Sequence, residues 1–138
     1  MDTVLYDRLD DDYDPMVLVI DDDPHIREGL RDAFESVNLQ SRTFGSAEEF
    51  FQSKLPARVS CLVLDVRLPG LNGLDLQRQM MTENWRVPII FITSHADDYA
   101  QARALEAGAV AFLYKPCRAE DLLGAIEAAL AQARKGDA

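Results

Sequence analysis

The sequence predicts an α/β domain built on a doubly wound, five-stranded parallel sheet with five helices. Two observations predict it. Five strand-sized runs, at 16–20, 40–44, 61–66, 87–93 and 109–114, alternate with segments of helical periodicity. The first of them, "MVLVI", is unbroken in its apolarity, as expected of a strand covered on both faces. Strand and helix in strict alternation imply parallel pairing with helices on both sides of the sheet. At 138 residues the chain has room for one such domain with a full core.

Each element has a local reason. After strand 16–20, Asp23 can cap a helix and Pro24 suits its first turn. The spacing of Ile26, Leu30, Ala33, Phe34 and Val37 gives that helix one buried stripe. "QSRTF" at 40–44 is more polar and reads as an edge strand. Ser46 and Glu49 form a capping box for a short helix with Phe50, Phe51 and Leu55 on its apolar side, closed by Pro56. "CLVLDV" is the third strand, and "RLPGLNG" breaks the chain before a helix from about 74 to 83. "VPIIFIT" is the fourth strand, followed by the helix "DDYAQARALEAG" with Gly108 as its stop. "AVAFLY" is the fifth strand. A last helix, about 119 to 134, turns Leu122, Leu123, Ile126, Ala129, Leu130 and Ala133 inward.

Charge narrows the function classes. The net charge is −10, and residues 1–15 alone carry six aspartates against Arg8. Such a chain repels nucleic acid, so no direct nucleic-acid binding is expected. No run is long enough to span a bilayer, and the N-terminus lacks the form of a signal peptide, so a cytoplasmic location without membrane contact is expected. Two cysteines make no disulfide framework; Cys61 reads as a small buried hydrophobe and Cys117 as a small buried thiol. Asp10, Asp12 and Asp14 imitate the start of a calcium loop, but Pro15 stands where that loop needs glycine, and the run reads as solvated.

In an open α/β sheet, ligands collect beyond the carboxyl ends of the strands. The first strand delivers Asp21 and Asp22 there, the third Asp65, the fourth Thr93 and the fifth Lys115. Converging carboxylates call for a hard cation, Mg²⁺ with Mn²⁺ as a substitute, rather than zinc. Lysine and threonine beside them supply donors for anionic oxygens. Together these groups describe a phosphoryl site with Asp65 as nucleophile.

The segments "VLVIDDD", "LVLDVRLPGLNG", "PIIFITSH" and "EAGAVAFLYKP", in that order, resemble the receiver domains of two-component response regulators, most closely the FixJ group. The resemblance spans about 16–134, leaving an acidic tail at 1–15 and a short tail at 135–138. It implies the flavodoxin-like strand order 2-1-3-4-5. It also implies that Asp65 accepts a phosphoryl group from a sensor histidine kinase. Asp22, Asp65 and the carbonyl of Arg67 would hold Mg²⁺, with Asp21 acting through water. Thr93, small Ser94 and Lys115 would meet the phosphoryl oxygens, the Lys115–Pro116 bond would be cis, and Phe112 would be the switch aromatic. The face of the fourth helix, fifth strand and fifth helix would then dimerise or engage an output, usually transcriptional. Such a protein assists its own phosphotransfer and is not a turnover enzyme.

Blander readings exist for each residue alone. Asp21 and Asp22 could be helix caps, Thr93 a β-former, Lys115 a solvated end and His95 an exposed loop residue; Asp23 reads chiefly as a cap. Their joint placement at strand ends favours the site. A haloacid-dehalogenase-like hydrolase would need an aspartate where Arg67 stands, and a degenerate receiver would lack part of the acidic set. Cys117 departs from the aromatic residue that commonly follows Lys-Pro in the family. Trp85 is expected to lie away from the site. The kinase, and whether an output domain follows "AQARKGDA", remain open from sequence.

Overall fold

The computed structural model describes residues 15–53 and 59–137, with residues 133–137 described in backbone only. Ten elements alternate: β1 Met16–Ile20, α1 Pro24–Glu35, β2 Gln40–Phe44, α2 Ala47–Gln52, β3 Cys61–Asp65, α3 Gly73–Thr82, β4 Ile89–Thr93, α4 Asp98–Glu106, β5 Ala111–Tyr114 and α5 Ala119–Asp137. The five strands form one parallel sheet in the order β2-β1-β3-β4-β5.

Alternation along the strands sends side chains to two cores. Leu18, Ile20, Leu62, Leu64, Phe91 and Phe112 pack with Phe50 of α2, Leu76 and Met80 of α3, and Ala100 and Ala104 of α4. Val17, Val19, Val63, Ile90, Ile92 and Cys61 face the other way, against Phe34 of α1 and Leu122, Ile126, Ala129 and Leu130 of α5. Each fully buried leucine, isoleucine or phenylalanine contributes roughly 1.5–3 kcal/mol. The central strands β3 and β4 are buried at every position, whereas β2 is buried only at Phe44, as its polar sequence and edge position require.

The helix starts follow their cap residues. Asp23 accepts from the His25 amide, Asn72 from the Asp75 amide and Asp97 from the Ala100 amide. The α2 box differs from its expected form. Ser46 accepts from the Glu49 amide at 3.0 Å, but the Glu49 carboxylate accepts from the amide of Gly45 rather than that of Ser46. Phe51, expected on the buried side of α2, is 48% exposed, because a helix of one and a half turns presents only Ala47 and Phe50 to the sheet. Leu55 and Pro56 lie outside the described residues, as does the side chain of Ala133. β3, β4 and β5 are each shorter than the apolar runs that announce them, and α5 continues past Arg134 to Asp137.

One close approach fixes the chain near the carboxyl end of β3. Gly73, the first residue of α3, donates its amide to the Val66 carbonyl at 2.8 Å. A Cβ there would lie 2.4 Å from the Asp65 carbonyl oxygen and 3.1 Å from the Val66 Cα. These are backbone atoms and cannot swing aside. Gly73→Ala should therefore cost ~1–3 kcal/mol in urea unfolding. Gly29→Ala, in α1 with nothing within 4 Å of the added methyl, should instead stabilise by ~1 kcal/mol.

Candidate functional site

The register of the sheet assembles the site. β1 and β3 pair with Ile20 beside Leu64, so the residues that follow, Asp21 and Asp65, leave the sheet side by side. Asp65 pairs in turn with Ile92, which precedes Thr93, and Thr93 pairs with Tyr114, which precedes Lys115. The crevice between β1 and β3 is where the winding direction reverses, with β2 on one side of β1 and the remaining strands on the other. In doubly wound sheets that reversal leaves the mouth free of crossing loops and open to ligand.

Asp21, Asp22 and Asp65 bring carboxylate oxygens within 4.8 Å of one another. Asp21 is fully buried, Asp65 nearly so, and Asp22 is exposed at the mouth. Lys115 reaches over from β5, its ammonium 2.7 Å from Asp21 Oδ2 and 3.0 Å from Asp65 Oδ2. The other oxygens are held by backbone: the Asp23 amide donates to Asp21 Oδ1 at 2.9 Å and the Arg67 amide to Asp65 Oδ1 at 3.0 Å. Thr93 is buried, and its Oγ1 accepts from the His95 amide at 3.2 Å. Ser94 and His95 are exposed beside it, and the Lys115–Pro116 peptide is cis.

Two of the three carboxylates, Asp21 and Asp65, share one ammonium here. Burial pushes the Asp65 carboxyl above its ordinary value of 3.8; Lys115 and the Arg67 amide oppose that shift, while the charge of Asp21 adds to it. Burial works against the Lys115 ammonium, yet its bonds to Asp21 and Asp65 outweigh burial and raise its pKa. Asp21 Oδ2 is buried, and the Lys115 ammonium at 2.7 Å is its one close partner among the described residues. An excess of anionic oxygens over one ammonium, all of them hard, suits a small divalent cation.

Phe112 is inward, with its ring 6.0 Å from Phe91 and 5.6 Å from Tyr114. Tyr114 donates its hydroxyl to Gln101 of α4 at 2.9 Å. Trp85 lies at the opposite end of the sheet, before β4, stacked on Phe50 with ring centres 5.7 Å apart. Cys61 is sealed in the core, and burial pushes its thiol up to about 12. Burial also raises the half-buried Cys117, which is not a reactive thiolate. No helix among the described residues is long and apolar enough to cross a membrane.

The response regulator receiver domain model matches residues 17–127. The chain belongs to that family. The receiver is 50% identical to Nodulation protein W of Bradyrhizobium diazoefficiens over 120 residues, which is 87% of this chain and 53% of that protein. It matches the solved response regulator StyR with a TM-score of 0.84 and 41% identity, covering 91% of this chain and 63% of that one. FixJ-N matches with a TM-score of 0.77 and 31% identity, over 86% of this chain and 94% of that one. The receiver thus spans about half the length of the curated relative it matches.

Sequence reasoning assigns no role to two residues beside the site. Gly73 only closes the segment "LVLDVRLPGLNG", and Arg27 looks like one more charge on an amphipathic helix. Arg27 Nη1 nevertheless donates to the Asp21 carbonyl at 2.7 Å.

The charge balance has a pH consequence. Because the folded-state pKa of Asp65 is raised, its contribution to stability is full below 3.8 and is lost as pH climbs through the raised value. Lys115, raised above 10.5, keeps its contribution through neutral pH and loses it only at strongly alkaline pH. In metal-free buffer at pH 7, Asp65→Asn should therefore unfold at higher urea than the unsubstituted receiver. The difference should close as pH falls toward 3.8.

Proposed function

We propose that this receiver takes a phosphoryl group onto Asp65 from the phosphohistidine of a sensor kinase, in a Mg²⁺-dependent reaction, and switches on that event. The observation that carries the reading is Lys115, bridging the buried carboxylates of Asp21 and Asp65 beside Asp22. Asp22, Asp65 and the Arg67 carbonyl would hold Mg²⁺, with Asp21 acting through water and Mn²⁺ able to substitute. Bound there, the ion neutralises charge on the transferring group.

The chain's own residues do the rest. A carboxylate oxygen of Asp65 attacks phosphorus in line; the P–N bond to the donor imidazole breaks and its electron pair stays on that ring. The product is an acyl phosphate. The Arg67 amide holds the second carboxylate oxygen of Asp65 and fixes the angle of attack. Lys115, already charged, transfers its contact from the carboxylates to the phosphoryl oxygens. The Thr93 hydroxyl accepts from the His95 amide, so its hydrogen is free to donate to the same oxygens.

The added charge also supplies the switch. Thr93 ends β4 and Lys115 follows β5, and Phe112 in β5 packs against Phe91 and Tyr114. Repacking there would change the face of α4, β5 and α5, which we assign to homodimerisation or to a transcriptional output partner, several of the similar proteins being transcriptional regulators. Residues 16–134 form the switch unit, with 1–15 and 135–138 as flanking tails. The receiver is a phosphoacceptor assisting its own transfer and hydrolysis, and its work with a kinase places it in the cytoplasm. A turnover hydrolase is disfavoured, since Arg67 stands where such enzymes carry a second aspartate.

Incubation with acetyl phosphate and Mg²⁺ should add one hydroxylamine-labile phosphoryl group, absent without Mg²⁺ and absent in Asp65→Asn. Asp22→Ala should abolish the labelling and Asp23→Asn should largely spare it, since Asp23 caps α1 through the His25 amide. Equal damage from both would overturn the division of roles. Steady phosphate release from unrelated esters would favour the hydrolase.

A further inference from the structure

Arg27 sits in the second turn of α1 and touches none of the three carboxylates. Its Nη1 donates to the main-chain carbonyl of Asp21, six residues back, at 2.7 Å. Among the described residues that carbonyl has no other donor, because β1 ends one residue earlier. The same guanidinium lies against the turn between β2 and α2. A Cβ on Gly45 would be 3.2 Å from Nη1 and 3.7 Å from the guanidinium carbon. Gly45 is itself held, its amide donating to the Glu49 carboxylate. The Asp21 amide donates to the Phe44 carbonyl at 3.0 Å, next to that turn.

The Asp21 amide is therefore bonded to the last residue of β2, while its carbonyl is bonded to Arg27, whose guanidinium packs near Gly45 in the β2–α2 turn. This matters because Asp21 is the most buried acid of the cluster, its carboxylate meeting the Asp23 amide and the Lys115 ammonium. Its side chain cannot be steered by solvent. Where the carboxylate points depends on those two partners and on how its backbone is held.

We infer that Arg27 is a positioning residue for the cation site, clamping the Asp21 main chain to the Gly45 turn so that the buried carboxylate faces Asp22 and Asp65. The inference rests on the metal reading above. Arginine suits the task because its planar fork can hold a carbonyl while the rest of the guanidinium packs beside Gly45. Outer groups that orient metal-binding side chains commonly change affinity without binding the ion themselves.

Calorimetric titration of the full chain with MgCl₂ tests it. Arg27→Gln should keep one site per chain and a melting temperature near that of the unsubstituted protein, but bind Mg²⁺ about tenfold more weakly. Arg27→Lys, which can still donate to the carbonyl, should recover most of the affinity. Binding by Arg27→Gln as tight as the unsubstituted protein's would overturn the proposal. A second readout needs no metal. In the metal-free protein, Arg27→Gln should shift the amide resonances of Asp21, Asp23 and Gly45 while leaving Gly73 unmoved. Unshifted amides would overturn the role of Arg27. If the unsubstituted chain takes up no Mg²⁺, the metal reading fails, and the amide shifts alone decide whether Arg27 orients Asp21.

Discussion

The ammonium of Lys115 between the carboxylates of Asp21 and Asp65 is the contact on which the rest of the site depends. Two buried acids side by side repel, and each loses hydration that the protein must replace. One lysine replaces part of it for both. The compensation is incomplete, because Asp65 stays raised despite Lys115 and one ammonium serves two buried carboxylates. A site left short of positive charge is stable enough to fold and still receptive to a cation. That residual imbalance connects the fold to the chemistry.

The sheet makes the imbalance possible. Only a parallel arrangement brings the carboxyl ends of β1, β3, β4 and β5 to one edge, and only the reversal between β1 and β3 leaves the crevice open there. Backbone donors then fix each acid separately: the Asp23 amide for Asp21, the Arg67 amide for Asp65. The Gly73 amide ties α3 to the chain just after Asp65, at a distance that excludes any side chain. The acids are held by rigid neighbours and can remain unneutralised without collapsing onto one another.

The strands, the helix starts and the residues at the strand ends were legible in the sequence because each has a local cause. An apolar run of five residues reads as a covered strand, and Asp23, Asn72 and Asp97 cap helices through their own near neighbours. What was not legible is long-range. Phe51 looked as apolar as Phe50, and only the brevity of α2 leaves it in solvent. Glu49 was expected to close on the cap residue but reaches Gly45, since the turn before α2 brings that amide nearer. Arg27 and Gly73 act on atoms that sequence spacing does not bring together. Their signals, a charge on a helix and a glycine in a break, are too common to single them out.

The central claim is that these carboxylates form a cation site. Anomalous diffraction from crystals soaked in Mn²⁺ tests it most directly. The account predicts one strong peak per chain, roughly 2.0–2.2 Å from carboxylate oxygens of Asp22 and Asp65 and from the Arg67 carbonyl. No peak there at saturating Mn²⁺, or a peak held by other acids while this crevice stays empty, would contradict it.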